Sequence, residues 1–282
     1  MKRAIALGLA SSLCAAACAG SKAAPAAAPL ILGAVPLGNP EQRRGEVAGL
    51  AAYLEHKLGG PVQLSIAADY RQFSQALSER RFDMVLVGPV LYSRAHETGY
   101  TALAVAERGG ESLKRGTLIA RADRGIAGPA DLKGKRVAFV DPHSASGFEY
   151  PFAFLWAQGL TPRDYQREFL GSHEAVVNAV AQGRVDAGAC YDGAVADMLP
   201  PDRQVELKVI GRTDPVPGEV FAVRSDSARA AAIRDALFSL GADPEGAKVL
   251  KPLHADKLVA PAEGIFDTAR AIDLLVSEQA GL

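Results

Sequence analysis

The sequence has few cysteines and almost no net charge. Only three cysteines occur, and only Cys190 lies beyond the first 18 residues, so a disulfide-rich scaffold is excluded. The formal net charge is −1. This balance argues against a nucleic-acid-binding protein, because contacts to a phosphate backbone need an excess of basic residues on one face. No nucleic-acid partner is therefore expected.

The sequence also lacks the motifs of common enzyme classes. It has no Gly-x-Ser-x-Gly elbow, no His-Glu-x-x-His pattern and no Walker motif, and its five histidines are scattered. We expect no catalytic residue, no metal and no cofactor. A hydrolase is the less favoured alternative, which stays open because catalytic triads form in space rather than in sequence.

The first 17 residues have the pattern of an export signal. Lys2 and Arg3 precede the uncharged residues 4–17, as a positive n-region precedes an apolar h-region. The apolar stretch is shorter than the roughly 20 residues of a membrane-spanning helix. Removal of residues 1–17 would leave 29 basic and 32 acidic residues and a charge of −3.

Three small residues, 15–17, stand before Cys18 and resemble a lipoprotein signal-peptidase site. The usual bulky leucine three positions before the cysteine is Ala15 here. We predict that residues 1–18 are a signal peptide with a lipid-modified Cys18; the alternative is a plain secretory signal cut at an Ala-x-Ala site. Residues 19–29 are rich in Ala and Pro and predict a tether rather than a folded element.

The remaining chain alternates strand-like and helical patterns. Strands are predicted at 30–35, 62–67 and 84–87, separated by helices at 41–58 and 70–81. This strand–helix order predicts a parallel sheet with right-handed crossovers.

A second α/β series follows, and the chain then returns to the first lobe. Strands are predicted at 116–121, 136–140 and 185–190, and helices at 147–158 and 172–182. A returning strand is predicted at 220–224, and helices at 227–240, 245–250 and 262–278 are expected to pack on the first lobe. We therefore predict an α/β protein with lobe 1 at 30–118 and 222–282 and lobe 2 at 119–221. Two chain crossings, near 117–121 and 219–224, would form a hinge suited to closure around a ligand.

The segment 141–147 follows a predicted strand and opens a predicted helix. Ser144 and Ser146 offer hydroxyl donors, and Gly147 lets the backbone approach a ligand. The first N–H groups of a helix have no internal partner and lie at its positive end, so this turn can bind an anion without Lys or Arg. The alternative is an ordinary helix cap, in which one serine satisfies a backbone N–H.

A second turn of the same kind is Gly171-Ser172-His173. His173 would lie in the first helical turn and could donate to an oxyanion. The alternative is a surface histidine. Two such turns in one lobe favour an anion site.

These motifs carry a family resemblance. The run from Asp131 to Phe139, followed by Asp141-Pro142 and Ser144-x-Ser146-Gly147, resembles the phosphate, phosphite and phosphonate binding proteins of ABC importers. The segments 171–175, 183–187, 68–70, 82–83 and 88–89 extend the resemblance over nearly the whole mature chain.

The resemblance implies a two-lobe periplasmic binding protein fold of type II, with each lobe a mostly parallel sheet flanked by helices. It implies a small phosphorus oxyanion between the lobes, an ABC permease as partner, and a monomer in the periplasm or cell envelope, lipid-anchored to a membrane. The alternative is an oxyanion sensor, of the phosphate or arsenic type, that partners a membrane histidine kinase. The ligand-binding residues that the resemblance implies are Tyr70, Tyr92, Ser144, Ala145, Ser146, His173 and Asp192.

Five positions depart from the family pattern or leave alternatives open. Ala145 stands where the family usually has a third hydroxyl, and His143 replaces a small polar residue before the serines. Asp192 and Glu219 are candidates for the amine of an aminophosphonate. Cys190 is interpreted as a small core residue, the alternative being a soft-ligand contact to arsenic.

Overall fold

The structure is a computed structural model that describes residues 28–36 and 39–281. The predicted signal peptide, Cys18 and most of the predicted tether lie outside the described residues. Within the part of the chain that the structure describes, no helix is both long and apolar enough to cross a membrane.

The described residues alternate strands and helices as the sequence patterns predict. The strands are β1 (Leu30–Ala34), β2 (Val62–Ile66), β3 (Met84–Val87), β4 (Tyr100–Glu107), β5 (Leu113–Lys114), β6 (Gly116–Arg121), β7 (Arg136–Phe139), β8 (Gln166–Phe169), β9 (Ala187–Tyr191), β10 (Leu207–Arg212), β11 (Val216–Pro217), β12 (Val220–Arg224) and β13 (Lys257–Val259). The helices are α1 (Pro40–Leu58), α2 (Tyr70–Ser78), α3 (Pro89–Glu97), α4 (Tyr150–Ala157), α5 (His173–Ala181), α6 (Ala194–Met198), α7 (Pro201–Gln204), α8 (Ala230–Ser239), α9 (Pro244–Leu250) and α10 (Asp267–Gln279). Short helical turns cover Ala122–Arg124, Pro129–Leu132, Ala145–Glu149 and Lys251–Leu253.

The first sheet has six strands in the order β13-β4-β12-β3-β1-β2. Strands β1, β2 and β3 are parallel, which confirms the predicted strand–helix–strand units. All four residues of β3 are buried, as expected of an apolar strand covered on both faces. Helix α1 begins at the Asn39 cap, ends at left-handed Gly59, and buries Val47, Leu50 and Leu54 in this lobe's core.

The second sheet has five strands in the order β10-β6-β9-β7-β8. Strand β7 is parallel to β8 and β9, whereas β6 is antiparallel to β9 and β10. Helix α5 lies directly over β9 at Gly188, where an added Cβ would come within 2.5 Å of Val176 Cγ1. The absence of a side chain at Gly188 therefore lets α5 approach the sheet closely. The two sheets with their flanking helices confirm the predicted α/β fold.

The chain crosses between the sheets earlier than the sequence patterns indicate. We expected the first crossing near 117–121, but β6 pairs only with strands of the second sheet, so the crossing precedes Gly116. The return crossing lies between β10 and β12. In the two crossing segments, β5 and β11 pair antiparallel, with Lys114 opposite Val216. The crossings therefore form a short two-stranded connection between the lobes.

The last helix, α10, packs on the first lobe as predicted and also packs on the second lobe. Its buried residues Ala269, Ile272 and Val276 lie in one apolar cluster with Phe148 and Phe152 of the second lobe. The helix also packs against α3 of the first lobe. It therefore bridges the two lobes through its apolar residues.

Candidate functional site

A cavity of about 1350 Å³ lies between the lobes. Both lobes contribute to its walls, and the second lobe does so through the starts of two helices. Six of the seven predicted ligand-binding residues line it: Tyr70, Ser144, Ala145, Ser146, His173 and Asp192. The cleft is therefore the candidate site.

The turn after β7 places the serine motif at the cleft. Ser144 caps the helical turn, since its Oγ accepts the Gly147 N–H at 3.2 Å. The helix starts wide, because the Ser144 carbonyl accepts from both Phe148 N–H at 2.8 Å and Glu149 N–H at 2.9 Å. An added Cβ at Gly147 would lie 2.6 Å from Val140 Cβ, so only glycine fits there. The N–H groups of the first turn are thereby presented at the cavity.

The cap and the anion site are compatible at Ser144. A hydroxyl that accepts the Gly147 N–H keeps its own hydrogen free to donate. Ser144 is buried, whereas Ala145 and Ser146 are half-buried against the cavity. The predicted cap is thus confirmed, and donation to an oxyanion stays a prediction.

His173 opens the second helix that starts at the cleft. Ser172 caps α5 by accepting the Ala175 N–H at 3.1 Å, as predicted. The His173 ring packs edge-on against Tyr191 with 4.9 Å between centroids, and its buried Nδ1 has no partner among the described residues. Burial lowers the pKa of His173 to about 4, so the ring is neutral at pH 7. The neutral ring lines the cleft and can donate a hydrogen bond from one of its two nitrogens.

Of the two predicted tyrosines, Tyr70 lines the cleft and Tyr92 does not. Tyr70 is buried, lines the cleft and faces the His143 ring across the lobes at 5.9 Å between centroids. Burial raises the pKa of Tyr70 far above its ordinary value, so its hydroxyl stays a donor. Tyr92 does not line the cleft, and its hydroxyl accepts the Ala102 N–H at 3.0 Å while its ring packs on Phe266. The prediction for Tyr92 is wrong, because α3 turns this side chain into the first lobe.

The sequence left the roles of two further residues, Asp192 and Cys190, undecided. Asp192 lines the cleft, and Arg212 Nε lies 3.6 Å from its carboxylate. Cys190 is fully buried beside Thr117 and does not line the cleft. Cys190 belongs to an apolar core cluster of the second lobe, which confirms the core interpretation and argues against a contact to arsenic in the cleft. Burial raises the pKa of its thiol to about 11.

The first-lobe wall carries a charge cluster that sequence patterns did not indicate. Arg43 is 3% exposed, donates from Nε to the Val35 carbonyl at 3.2 Å, and pairs with Glu46 and Glu219. Lys114 lies in the same wall, and burial lowers its pKa against the opposing effect of Glu219. Glu219, a candidate for a ligand amine, is thus bonded to Arg43. The available sequence signal for this cluster was Arg43, a cation at a position where the apolar spacing of α1 predicts a buried residue.

A second cluster joins the lobes behind the serine turn. Arg94 of α3 donates from Nε to Asp273 of α10 at 2.9 Å and from Nη1 to His143 Nδ1 at 3.2 Å. Its Nη2 lies 3.8 Å from Glu149 Oε1. Glu149 is fully buried, and burial raises its pKa to about 8. No sequence signal connects Arg94 and Asp273 with each other or with the segment that holds His143 and Glu149, since these three parts lie far apart along the chain.

Comparisons with known proteins give similar proteins at the level of sequence and of fold. A family model described as "ABC transporter, phosphonate, periplasmic substrate-binding protein" matches residues 32–263. The "Phosphate-import protein PhnD" of Mycolicibacterium smegmatis is 30% identical over 213 residues, which are 68% of this chain and 65% of that protein. The chain therefore aligns with slightly less than two thirds of this relative's length.

Solved structures show the same fold. XAC2383 from Xanthomonas citri bound to chloride has a TM-score of 0.78 at 23% identity, over 88% of this chain and 98% of that one. PhnD1 from Prochlorococcus marinus in complex with methylphosphonate has a TM-score of 0.76 at 18% identity, with the same two coverages. At these identities the likeness shows the fold alone, which is the two-lobe binding-protein fold expected from the sequence.

Proposed function

Because the chain belongs to the family of periplasmic substrate-binding proteins of phosphonate ABC transporters, we propose that it captures a phosphorus oxyanion in the cleft. The ligand is a phosphonate, phosphite or phosphate, and the loaded protein delivers it to an ABC permease. Two relatives, one a phosphate-import protein and one solved in complex with methylphosphonate, support this ligand class.

One observation carries the proposal: the starts of two helices and an unpartnered imidazole meet in one cavity. Ser144, Ser146 and the N–H groups of Ala145 and Ser146 supply donors from the first helix start. His173 supplies another from the second, with its buried Nδ1 unpartnered among the described residues. Helix starts favour negative charge, and such donors replace the water that an oxyanion loses. Asp192 lies at the edge of this arrangement.

Closure of the lobes completes the site in this proposal. Tyr70 supplies a hydroxyl from the first lobe, and no described residue bonds it. The two lobes, which the chain connects before Gly116 and between β10 and β12, would turn about the paired segments β5 and β11. A ligand shifts this equilibrium only by its differential affinity for the closed state, which contacts from both lobes provide.

The other interpretations are less well supported. The family is one of substrate-binding transport proteins, which does not favour a sensor that partners a histidine kinase. The same assignment makes a hydrolase a poor fit, and we propose that the protein has no turnover. Release of phosphate or alcohol from a phosphonate or phosphate ester by the purified protein would overturn this part.

The envelope location is also part of the proposal. Lipid attachment at Cys18 would hold the protein at a membrane beside the permease, and the protein would act as a monomer. Incorporation of labelled fatty acid into the exported protein, and its loss in Cys18→Ala, test the anchor. Light scattering of the purified domain tests the oligomeric state.

Calorimetry is the decisive experiment for the ligand. The purified protein is titrated with phosphate, phosphite, methylphosphonate and 2-aminoethylphosphonate, with sulfate as the matched non-phosphorus oxyanion. We expect at least one phosphorus ligand to bind more tightly than sulfate. The proposal fails if none binds above the dilution background.

A further inference from the structure

The His143 ring stands at the entrance to the serine turn. It lines the cleft directly before Ser144 and faces the Tyr70 ring at 5.9 Å between centroids. Its backbone N–H donates to Asp141 Oδ1 at 2.9 Å, and the Ser144 N–H donates to the Asp141 carbonyl at 3.0 Å. These two bonds hold the backbone at 143 in a tight turn, so the ring is presented from a defined position.

One contact determines which nitrogen of this ring carries a hydrogen. Arg94 Nη1 lies 3.2 Å from His143 Nδ1. A guanidinium has only donors, so Nδ1 must be the acceptor, and the hydrogen of the neutral ring is then on Nε2. Burial and the neighbouring Arg94 both lower the pKa of His143, against the opposing effects of Asp141 and Asp273. The neutral ring and the Arg94 contact thus agree.

Arg94 is itself held in place by the last helix and by Glu149 of the second lobe. Its Nε donates to Asp273 at 2.9 Å, and its Nη2 lies 3.8 Å from the Glu149 carboxyl group. The guanidinium therefore has a fixed direction when it meets His143. The contact crosses from α3 of the first lobe to the ligand-facing turn of the second, so the first lobe controls the hydrogen position in the second.

His143 Nε2 is free for a ligand. No group among residues 28–36 and 39–281 bonds it, and the ring belongs to the cavity wall. We propose that the Nε2–H of His143 donates a hydrogen bond to the bound oxyanion, and that Arg94 is the positioning residue that keeps the hydrogen on this nitrogen. This inference rests on the proposed function. The His143 donor lies two positions before Ala145, the residue that has no hydroxyl where the family motif usually has one.

The chemistry of this donor affects ligand choice. A serine hydroxyl can donate to an oxyanion or accept from a protonated one, whereas Nε2–H with Nδ1 engaged can only donate. The site at His143 therefore favours a ligand oxygen that carries no hydrogen. A phosphonate or phosphate has such an oxygen even when it is monoprotonated, so the preference acts mainly against more highly protonated forms of the ligand.

The first test reads the ring without ligand. The chain has five histidines, so selective ¹⁵N-histidine labelling gives few signals, and His143→Phe identifies the relevant pair. We expect a protonated Nε2 and an unprotonated Nδ1 in the unaltered protein. Arg94→Met should mix the two tautomers, and Arg94→Lys, which keeps a donor, should restore the pattern in part. Arg270→Met, an exposed arginine on α10, is the matched control.

The second test reads the ligand. We expect His143→Ala and the ring-preserving His143→Phe each to weaken methylphosphonate or phosphate binding about 10- to 100-fold, the range for one hydrogen bond to a charged group. The exposed His56→Ala is the control, and thermal unfolding of each variant checks the fold. Binding within twofold of the unaltered protein, or an Nδ1-protonated ring, overturns the inference while the proposed function stands. If the unaltered protein binds no phosphorus oxyanion, the proposed function fails, and the ligand half of this inference fails with it.

Discussion

Gly88 and Ala145 face each other across the cleft. A Cβ built on Gly88 would lie 3.8 Å from the Ala145 Cβ, so the space between the first lobe and the serine turn has room here for a Cβ and little more. The Ala145 methyl and the bare Gly88 backbone are thus opposite walls of a narrow part of the cavity. A group added to either residue is felt by the other.

Ala145→Thr should tighten oxyanion binding. The added hydroxyl supplies a donor at the first turn of the helix, and Gly88 leaves space for it. Hydrogen bonds to charged groups are worth about 1.5–3 kcal/mol, so an affinity gain of up to about tenfold is expected after the cost of ordering the new side chain. Calorimetry measures it. Ala145→Val has nearly the same shape without the hydroxyl, and an equal gain in that variant would contradict the explanation.

His173→Phe should separate binding from stability. The buried Nδ1 of His173 is unpartnered among the described residues, and an unsatisfied buried polar atom costs about 1–3 kcal/mol. Phenylalanine keeps the ring against Tyr191 and removes that atom, so we expect unchanged or higher thermal stability. Ligand affinity should fall about 10- to 100-fold, because one bond to a charged group is lost. Unchanged affinity would remove His173 from the site.

Glu219→Gln should destabilise the fold through Arg43. The guanidinium is almost fully buried and pairs with Glu219, which is 12% exposed. Loss of one partner of a buried ion pair leaves an uncompensated charge and costs about 3–5 kcal/mol, reduced here because Glu46 remains. A urea-denaturation cycle with Arg43→Met and the double variant measures the coupling. A coupling energy below about 0.5 kcal/mol, the limit of simple additivity, would show that the pair is not a structural unit.

Glu149→Gln should change the pH dependence of unfolding. Burial raises the pKa of Glu149 from 4.5 to about 8, so between these values the folded state holds a proton that the unfolded state has released. The free energy of unfolding should therefore fall as pH rises through this window, by about 1.4 kcal/mol per pH unit. Glutamine at 149 removes this contribution and flattens the profile.

Urea denaturation at several pH values between 5 and 8 makes the comparison. Glu245→Gln, on the exposed surface of α9, is the matched control and should leave the slope as it is. A profile for Glu149→Gln that coincides with that of the unaltered protein would show that the carboxyl group is ionised when folded.

Some parts of the fold were predictable because local pattern and burial agree. The run 84–87 is wholly apolar and becomes β3, and 220–224 becomes β12 with the predicted bounds. Ser172 and Gly183 mark the start and end of α5 as capping rules require. By contrast β8, Gln166–Phe169, is mostly exposed and polar, and only its pairing with β7 makes it a strand. Tertiary pairing of that kind leaves no periodic signal.

The candidate site divides in the same way. The serine turn and His173 were predictable because helix starts carry local signals within a few residues. The Arg94 cluster was not, since its partners His143 and Asp273 lie 49 and 179 positions away. Tyr92 was assigned to the cleft from resemblance, but α3 directs it to Ala102 in its own lobe. Sequence spacing cannot determine which face of a short helix meets a neighbouring lobe.

The bridging position of α10 has a practical consequence. Asp273 bonds Arg94 of the first lobe, and the Ala280 carbonyl accepts from Arg167 of the second at 2.6 Å, so any change in lobe angle must strain or slide this helix. Leu274 between them is 60% exposed, and Cys190 is buried and poorly reactive. In a domain that starts after Cys18, Leu274→Cys would be the single reactive thiol, so a dye attached there would make the protein an optical biosensor for its own ligand.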